Sequence, residues 1–182
     1  MSSERVTGAA PEPLAMSVEP QGDWVGEFGG DGYVLAAWEG DSDLVWLEDA
    51  GATVALEQGR RYRWSSSTGS VRALQAPDAS DRRAATYTHS SQLQVRLDFA
   101  DGYAGMLRLY ALDWDNHDRR QTVSVFDGAV VRSAELDTNF ADGRWIEVPI
   151  DIAAGGAVTI TVDKTAGPNV VLSGIFLGDE AT

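Results

Sequence analysis

The chain has 182 residues, 43% of them hydrophobic and 9% aromatic, enough to close one core and too few for several. Its 14 Lys and Arg stand against 28 Asp and Glu, a net charge of −14 that repels a phosphate backbone and excludes a general nucleic-acid binder. Zero cysteines exclude disulfides, thiolate zinc sites and thiol nucleophiles; two histidines, His89 and His117, exclude a three-His metal site. No run approaches the roughly 20 apolar residues that span a bilayer as a helix. Lys164 is the only lysine. That bias fits arginine-rich coding in a high-GC genome, and also the hydrated acidic surfaces of halophiles.

Residues 1–20 hold three prolines, small residues and no apolar periodicity, so they are expected to form a disordered tail or linker. They lack the apolar h-region of a secretory signal. The folded part is expected over 21–178, with a short tail at 179–182. Within it, short β-rich runs follow one another: Tyr33–Trp38, Leu44–Leu47, Thr53–Leu56, Tyr62–Ser65, Arg83–Thr88, Leu93–Phe99, Met106–Trp114, Thr122–Phe126, Trp145–Ile152, Ala157–Val162 and Val170–Leu177. Alternation is plain where Leu93, Val95, Leu97 and Phe99 oppose Gln94, Arg96 and Asp98, and again in Val158, Ile160 and Val162. Gly and Asp pairs such as Asp101-Gly102, Asp127-Gly128, Asp142-Gly143 and Gly155-Gly156 supply turns between runs. No capped segment of helical period stands out. About eleven strands at spacings of roughly eight to twelve residues predict an all-β fold, an antiparallel β-sandwich or jelly roll. The last run is nearly continuous in apolar residues, which predicts a central strand buried on both faces.

Three groups of residues carry candidate chemistry. The six tryptophans come first, because indole stacks on the apolar faces of sugar rings; Trp38 and Trp46, flanking the polar turn 39–43, are the expected exposed pair. The alternative is that the tryptophans plug the core. The second group is Asp113-Trp114-Asp115-Asn116-His117-Asp118, at the end of an apolar strand. Alternation sets Asp113 and Asp115 on one face and Trp114 on the other. These carboxylates could hold Ca²⁺ through oxygen, with Asp113, Asp115 and Asp118 as candidate ligands; an EF-hand is excluded, because Asp118 stands where its glycine is required. They could instead pair with neighbouring arginines, or act as an acid and base. The third group is Arg72 and Arg83, whose planar forks suit sugar hydroxyls or a carboxylate, or else a structural ion pair. No nucleophile elbow, P-loop or dinucleotide-binding glycine pattern occurs.

Four separated segments, Gln21–Leu35, Asp81–Tyr87, Leu109–Asp115 and Thr165–Gly178, resemble in order a galactose-binding-like, carbohydrate-binding-module-like β-sandwich. Such domains are appended to secreted bacterial glycoside hydrolases. The resemblance implies a non-catalytic glycan binder, extracellular by context, with a polysaccharide as ligand and with other modules or an enzyme as partners. It implies no individual binding residues. From the residues themselves, the candidate ligand set is Trp114, Asp113, Asp115, Arg72, Arg83 and Trp38. A structural or protein-interaction sandwich is the rival expectation, and a small glycan-active hydrolase or lyase the third.

Overall fold

The computed structural model describes residues 12–179. Among the described residues every regular element is a strand: β1 Glu12–Pro13, β2 Ala15–Ser17, β3 Phe28–Leu35, β4 Leu44–Trp46, β5 Ala52–Gln58, β6 Arg60–Ser65, β7 Leu74–Gln75, β8 Arg82–His89, β9 Gln92–Phe99, β10 Tyr103–Ala111, β11 Arg120–Phe126, β12 Val131–Leu136, β13 Arg144–Ile152, β14 Gly156–Ala166, β15 Val170–Leu172 and β16 Gly174–Asp179. Two six-stranded sheets run β1-β12-β11-β14-β9-β5 and β2-β13-β10-β16-β3-β4. Pairing is antiparallel throughout except where β1 lies parallel to β12. A smaller sheet, β15-β8-β6, carries β7 on the start of β8. The expected all-β sandwich is the observed architecture. Among the described residues no helix is long and apolar enough to cross a membrane.

The two large sheets face each other over one core, and the period-2 pattern sets which side chains enter it. Leu93, Val95, Leu97 and Phe99 of β9 and Val158, Ile160 and Val162 of β14 meet Leu107 and Leu109 of β10 and Ile146, Val148 and Ile150 of β13. The outer face of the first sheet is polar, with Arg96 and Asp98 joined across it by an exposed ion pair. The second sheet differs, because its outer face is also buried. There Leu35, Tyr110, Trp145 and Phe176 form a second cluster roofed by Trp24, Trp38 and Leu74. Ring centroids of Trp145 stand 4.6 Å from Tyr110 and 5.2 Å from Phe176. Polar ends of these rings are satisfied by the segments that cross them: Trp145 donates to the Gln21 carbonyl, Trp24 to that of Gln75 and Tyr110 to that of Arg72.

Three expectations change. Strand pairing already includes Glu12–Pro13 and Ala15–Ser17, so the expected tail of 1–20 is too long; residues 1–11 lie outside the described residues, as do 180–182. Short edge strands with little apolar content leave no periodicity to read. The run Val170–Leu177 is two strands rather than one. Its first half pairs β8 in the small sheet, its second half sits between β10 and β3, and Ser173 marks the switch by donating to the Tyr110 carbonyl at 2.8 Å. Both halves are buried, as the continuous apolar pattern requires. The third change is β12, which was not among the expected strands: only Ala134 and Leu136 are buried, while Val131 and Glu135 are exposed and Arg132 and Ser133 lie in between.

Deleting 170–177 is expected to yield insoluble protein, since it removes strands from two sheets. Trp145→Ala is expected to cost about 3–5 kcal/mol, measured by chemical denaturation, because the ring is fully buried among three aromatic neighbours, Phe28, Tyr110 and Phe176.

Candidate functional site

A hollow of about 160 Å³ lies on the small sheet, lined by Arg60, Tyr62, Trp64, Thr86, Thr88, Asp115, Arg119 and Asn169. Its floor follows from strand geometry. Residues 60, 62 and 64 alternate onto one face of β6, and Arg60 and Tyr62 pair across the strands with Thr88 and Thr86 of β8. Tyr62 is 52% exposed and Trp64 half-buried, their rings meeting nearly at right angles with centroids 6.0 Å apart. Together they form an open aromatic corner.

The opposite wall comes from the loop after β10 and the turn before β15. Asn116 and Asp118 adopt positive φ, which short polar side chains tolerate, and this bends the loop so that Arg119 turns back under it. The Arg119 guanidinium bonds Asp113 at 2.5 Å, Asp115, and the Asn169 side-chain oxygen at 2.5 Å, and lies 5.7 Å from the Trp64 ring. Asp113 is fully buried; besides Arg119 Nη1 it accepts the backbone N–H of His117 and of Arg119. Gly167 makes the closure sterically feasible: with φ +87° it passes so close that a Cβ would stand 2.7 Å from Arg119 Cα. Because Asn169 gives its oxygen to Arg119, its amide N–H₂ group is the end left for a ligand.

Asp115 offers the acceptor. Burial pushes its carboxyl up, but the hydrogen bond and charge of Arg119 and the bond from His117 outweigh this and hold it below the usual carboxylate value. A second carboxylate fixes the small sheet from behind. Asp43 accepts the Ala37 N–H and Arg61 Nε, each at 2.8 Å, together with Arg61 Nη2 at 3.0 Å and the Tyr87 hydroxyl at 2.6 Å. Its burial also raises the carboxyl, and these four donors more than reverse the shift. Arg61 and Tyr87 lie on the far face of β6 and β8 from Arg60 and Thr88, so this network sets the sheet that the hollow is built on.

Of the six candidates read from the sequence, only Asp115 lines the hollow. Asp113 supports it from below. Trp114, in the turn that follows β10, packs instead against the outer cluster, and Arg72 covers it with its guanidinium 4.3 Å from the ring while bonding the Trp114 and Ala141 carbonyls. Arg83 bonds the Trp38 carbonyl at 2.6 Å and pairs with Glu39. Trp38, expected to be exposed, is 4% exposed and part of the outer core, because positive φ at Ala37 turns the chain inward before the polar turn. The expected Ca²⁺ site at Asp113, Asp115 and Asp118 is not assembled: Arg119 occupies the space between the first two. Among the described residues no group of three or more His, Asp or Glu side chains is arranged to hold a metal ion. Tyr62, Arg60, Thr88, Arg119 and Asn169 were not singled out, and Trp64 entered only as one of the six tryptophans. The one local signal was the spacing of Arg60, Tyr62 and Trp64, which puts two aromatics beside a cation on one strand face.

No protein-family model and no curated protein matches the sequence. Solved structures similar to it include the family 61 carbohydrate-binding module TmCBM61 with β-1,4-galactotriose, at 15% identity over 71% of this chain and 88% of that one, TM-score 0.40. A family 35 carbohydrate-binding module from an environmental isolate is 13% identical over 69% and 85%, TM-score 0.39. The family 35 module of Cellvibrio japonicus Abf62 is 10% identical over 70% and 94%, TM-score 0.39.

Arg119→Ala strands the buried Asp113 carboxylate and is expected to destabilise the fold by about 3–5 kcal/mol. Asp43 and Asp115 titrate below their unfolded values, so their contribution is full above about pH 4 and is lost as pH falls through the depressed values. Denaturation midpoints should therefore be flat from pH 8 to 5 and fall below 4, with the acid loss reduced in Asp43→Asn.

Proposed function

We propose that the protein binds glycans without catalysis, in the hollow between β6, β8 and the 113–119 loop. The observation that carries this reading is the aromatic corner of Tyr62 and Trp64, left open beside donors and acceptors that the fold holds rigidly. Pyranose rings present apolar C–H faces and polar edges. Trp64 or Tyr62 would take a C–H face, the Asp115 carboxylate would accept from ring hydroxyls, and the Asn169 amide and Arg60 guanidinium would donate to them. The support is pre-organised, since Arg119 ties Asp115 and Asn169 together before any ligand arrives, which keeps the ordering cost of binding small.

A hydrolase that uses Asp113 and Asp115 as acid and base is disfavoured by the same geometry. One guanidinium engages both, and Asp113 has no exposed atom to offer a substrate. Trp114 is not part of this reading, because Arg72 already stacks on it. The rival is a structural or interaction domain with no glycan affinity.

Binding is tested by affinity electrophoresis and calorimetry on soluble β-galactan, xylan, β-glucan and pectin. Tyr62→Ala, at an exposed position, and Trp64→Ala are each expected to weaken binding at least about fivefold, a stacking contact being worth on the order of 1 kcal/mol or more. Trp114→Ala is expected to leave affinity unchanged. Folded wild type that binds none of these polymers would favour the rival, and product release abolished by Asp113→Asn would favour the hydrolase.

A further inference from the structure

A second hollow of about 240 Å³ opens beside the first, lined by Gly59, Arg60, Thr88, His89 and Ser90. Arg60 and Thr88 belong to both. They are a cross-strand pair on β6 and β8, so the two hollows are neighbouring lengths of one groove that meet at that pair. On the reading that the first hollow holds a sugar, we propose that the second is a further sugar subsite, that the ligand is an oligosaccharide of at least two units, and that Arg60 and Thr88 grip it at the junction.

Three features argue for a polar occupant in the second hollow. Thr88 is 4% exposed, and its hydroxyl has no hydrogen-bond partner in the structure. Buried polar side chains nearly always find one, and Thr86, two residues earlier on the same strand, does so by accepting the Leu172 N–H at 2.9 Å and donating to the Tyr87 carbonyl at 2.6 Å. A rotation about Thr88 χ1 brings its hydroxyl to the groove, where a sugar hydroxyl completes it. Arg60 is exposed and makes no ion pair among the described residues, so its fork of donors is available on both sides of the junction. His89 accepts the backbone N–H groups of Ser91 at 3.0 Å and Gln92 at 3.1 Å through Nδ1; in the neutral ring this puts the proton on Nε2, a donor.

The test is calorimetric titration of the full chain with β-1,4-linked galacto-, xylo- and gluco-oligosaccharides of one to four units. For the series that binds, affinity is expected to rise at least about tenfold between one unit and two or three, then level off. Ser90→Trp, at an exposed position, should fill the second hollow and reduce the affinity for the longest ligand to that for the shortest, leaving the shortest unchanged. Thr88→Val keeps the shape and removes the hydroxyl; because Thr88 lines both hollows it should weaken the longer ligands, while the melting temperature holds or rises. Affinity independent of length, or indifferent to Ser90→Trp, with short sugars still binding in a Trp64-dependent way, would overturn the second subsite alone. Failure of every sugar to bind would overturn the first hollow and the second with it.

Discussion

Strand β16 is buried on both faces, and much of the molecule is arranged around that constraint. It lies between β10 and β3, turning Ile175 and Leu177 into the main core and Phe176 into the aromatic cluster on the other side. A sheet with two apolar faces needs two covers. The first sheet supplies one; the second is built from irregular chain, with the Trp24 segment and the segment around Leu74 laid across Tyr110, Trp145 and Phe176. Burial of large aromatics at about 25 cal/mol per Å² makes that roof a major share of the hydrophobic stabilisation. It also buries three of the six tryptophans, Trp24, Trp38 and Trp145.

The small sheet hangs from this frame at Ser173, where the chain passes from β15 to β16. Its rigidity comes from charges that are bonded on several sides. Asp43 gathers Arg61, Tyr87 and the Ala37 N–H behind the sheet, and Arg119 gathers Asp113, Asp115 and Asn169 at its edge. Buried ion pairs contribute little net stability unless their remaining hydrogen-bonding capacity is used. Here it is used, and the gain is positional: a carboxylate, an amide and two aromatic rings are held at fixed places around one hollow.

The fold class was legible because it rests on a period. Two-residue alternation in Leu93–Phe99 and Val158–Val162 is imposed by a sheet that is wet on one side, and each of those runs became a strand with those residues inward. Asp113, Trp114 and Asp115 lie in the turn after β10, where strand alternation no longer sets the facing. What failed was the step from face to water. Trp38 and Trp114 were read as platforms because polar residues surround them in sequence, yet Trp38 is drawn into the outer core and Trp114 is capped by Arg72, 42 residues away. The boundary at residue 20 failed because β1 and β2 are too short to show any pattern.

Composition, alternation and turn residues by themselves determined that this is an acidic, cysteine-free chain folded as an antiparallel sandwich, and which side chains of the regular strands share a face. Only the tertiary structure decided where the open site lies. It brings Tyr62 and Trp64 of one strand, Asp115 and Arg119 of a distant loop, and Asn169 of a turn near the end of the chain to one place. Exposure and charge pairing are properties of what packs against a residue, and those partners are set by strand order and loop path rather than by neighbours in the chain.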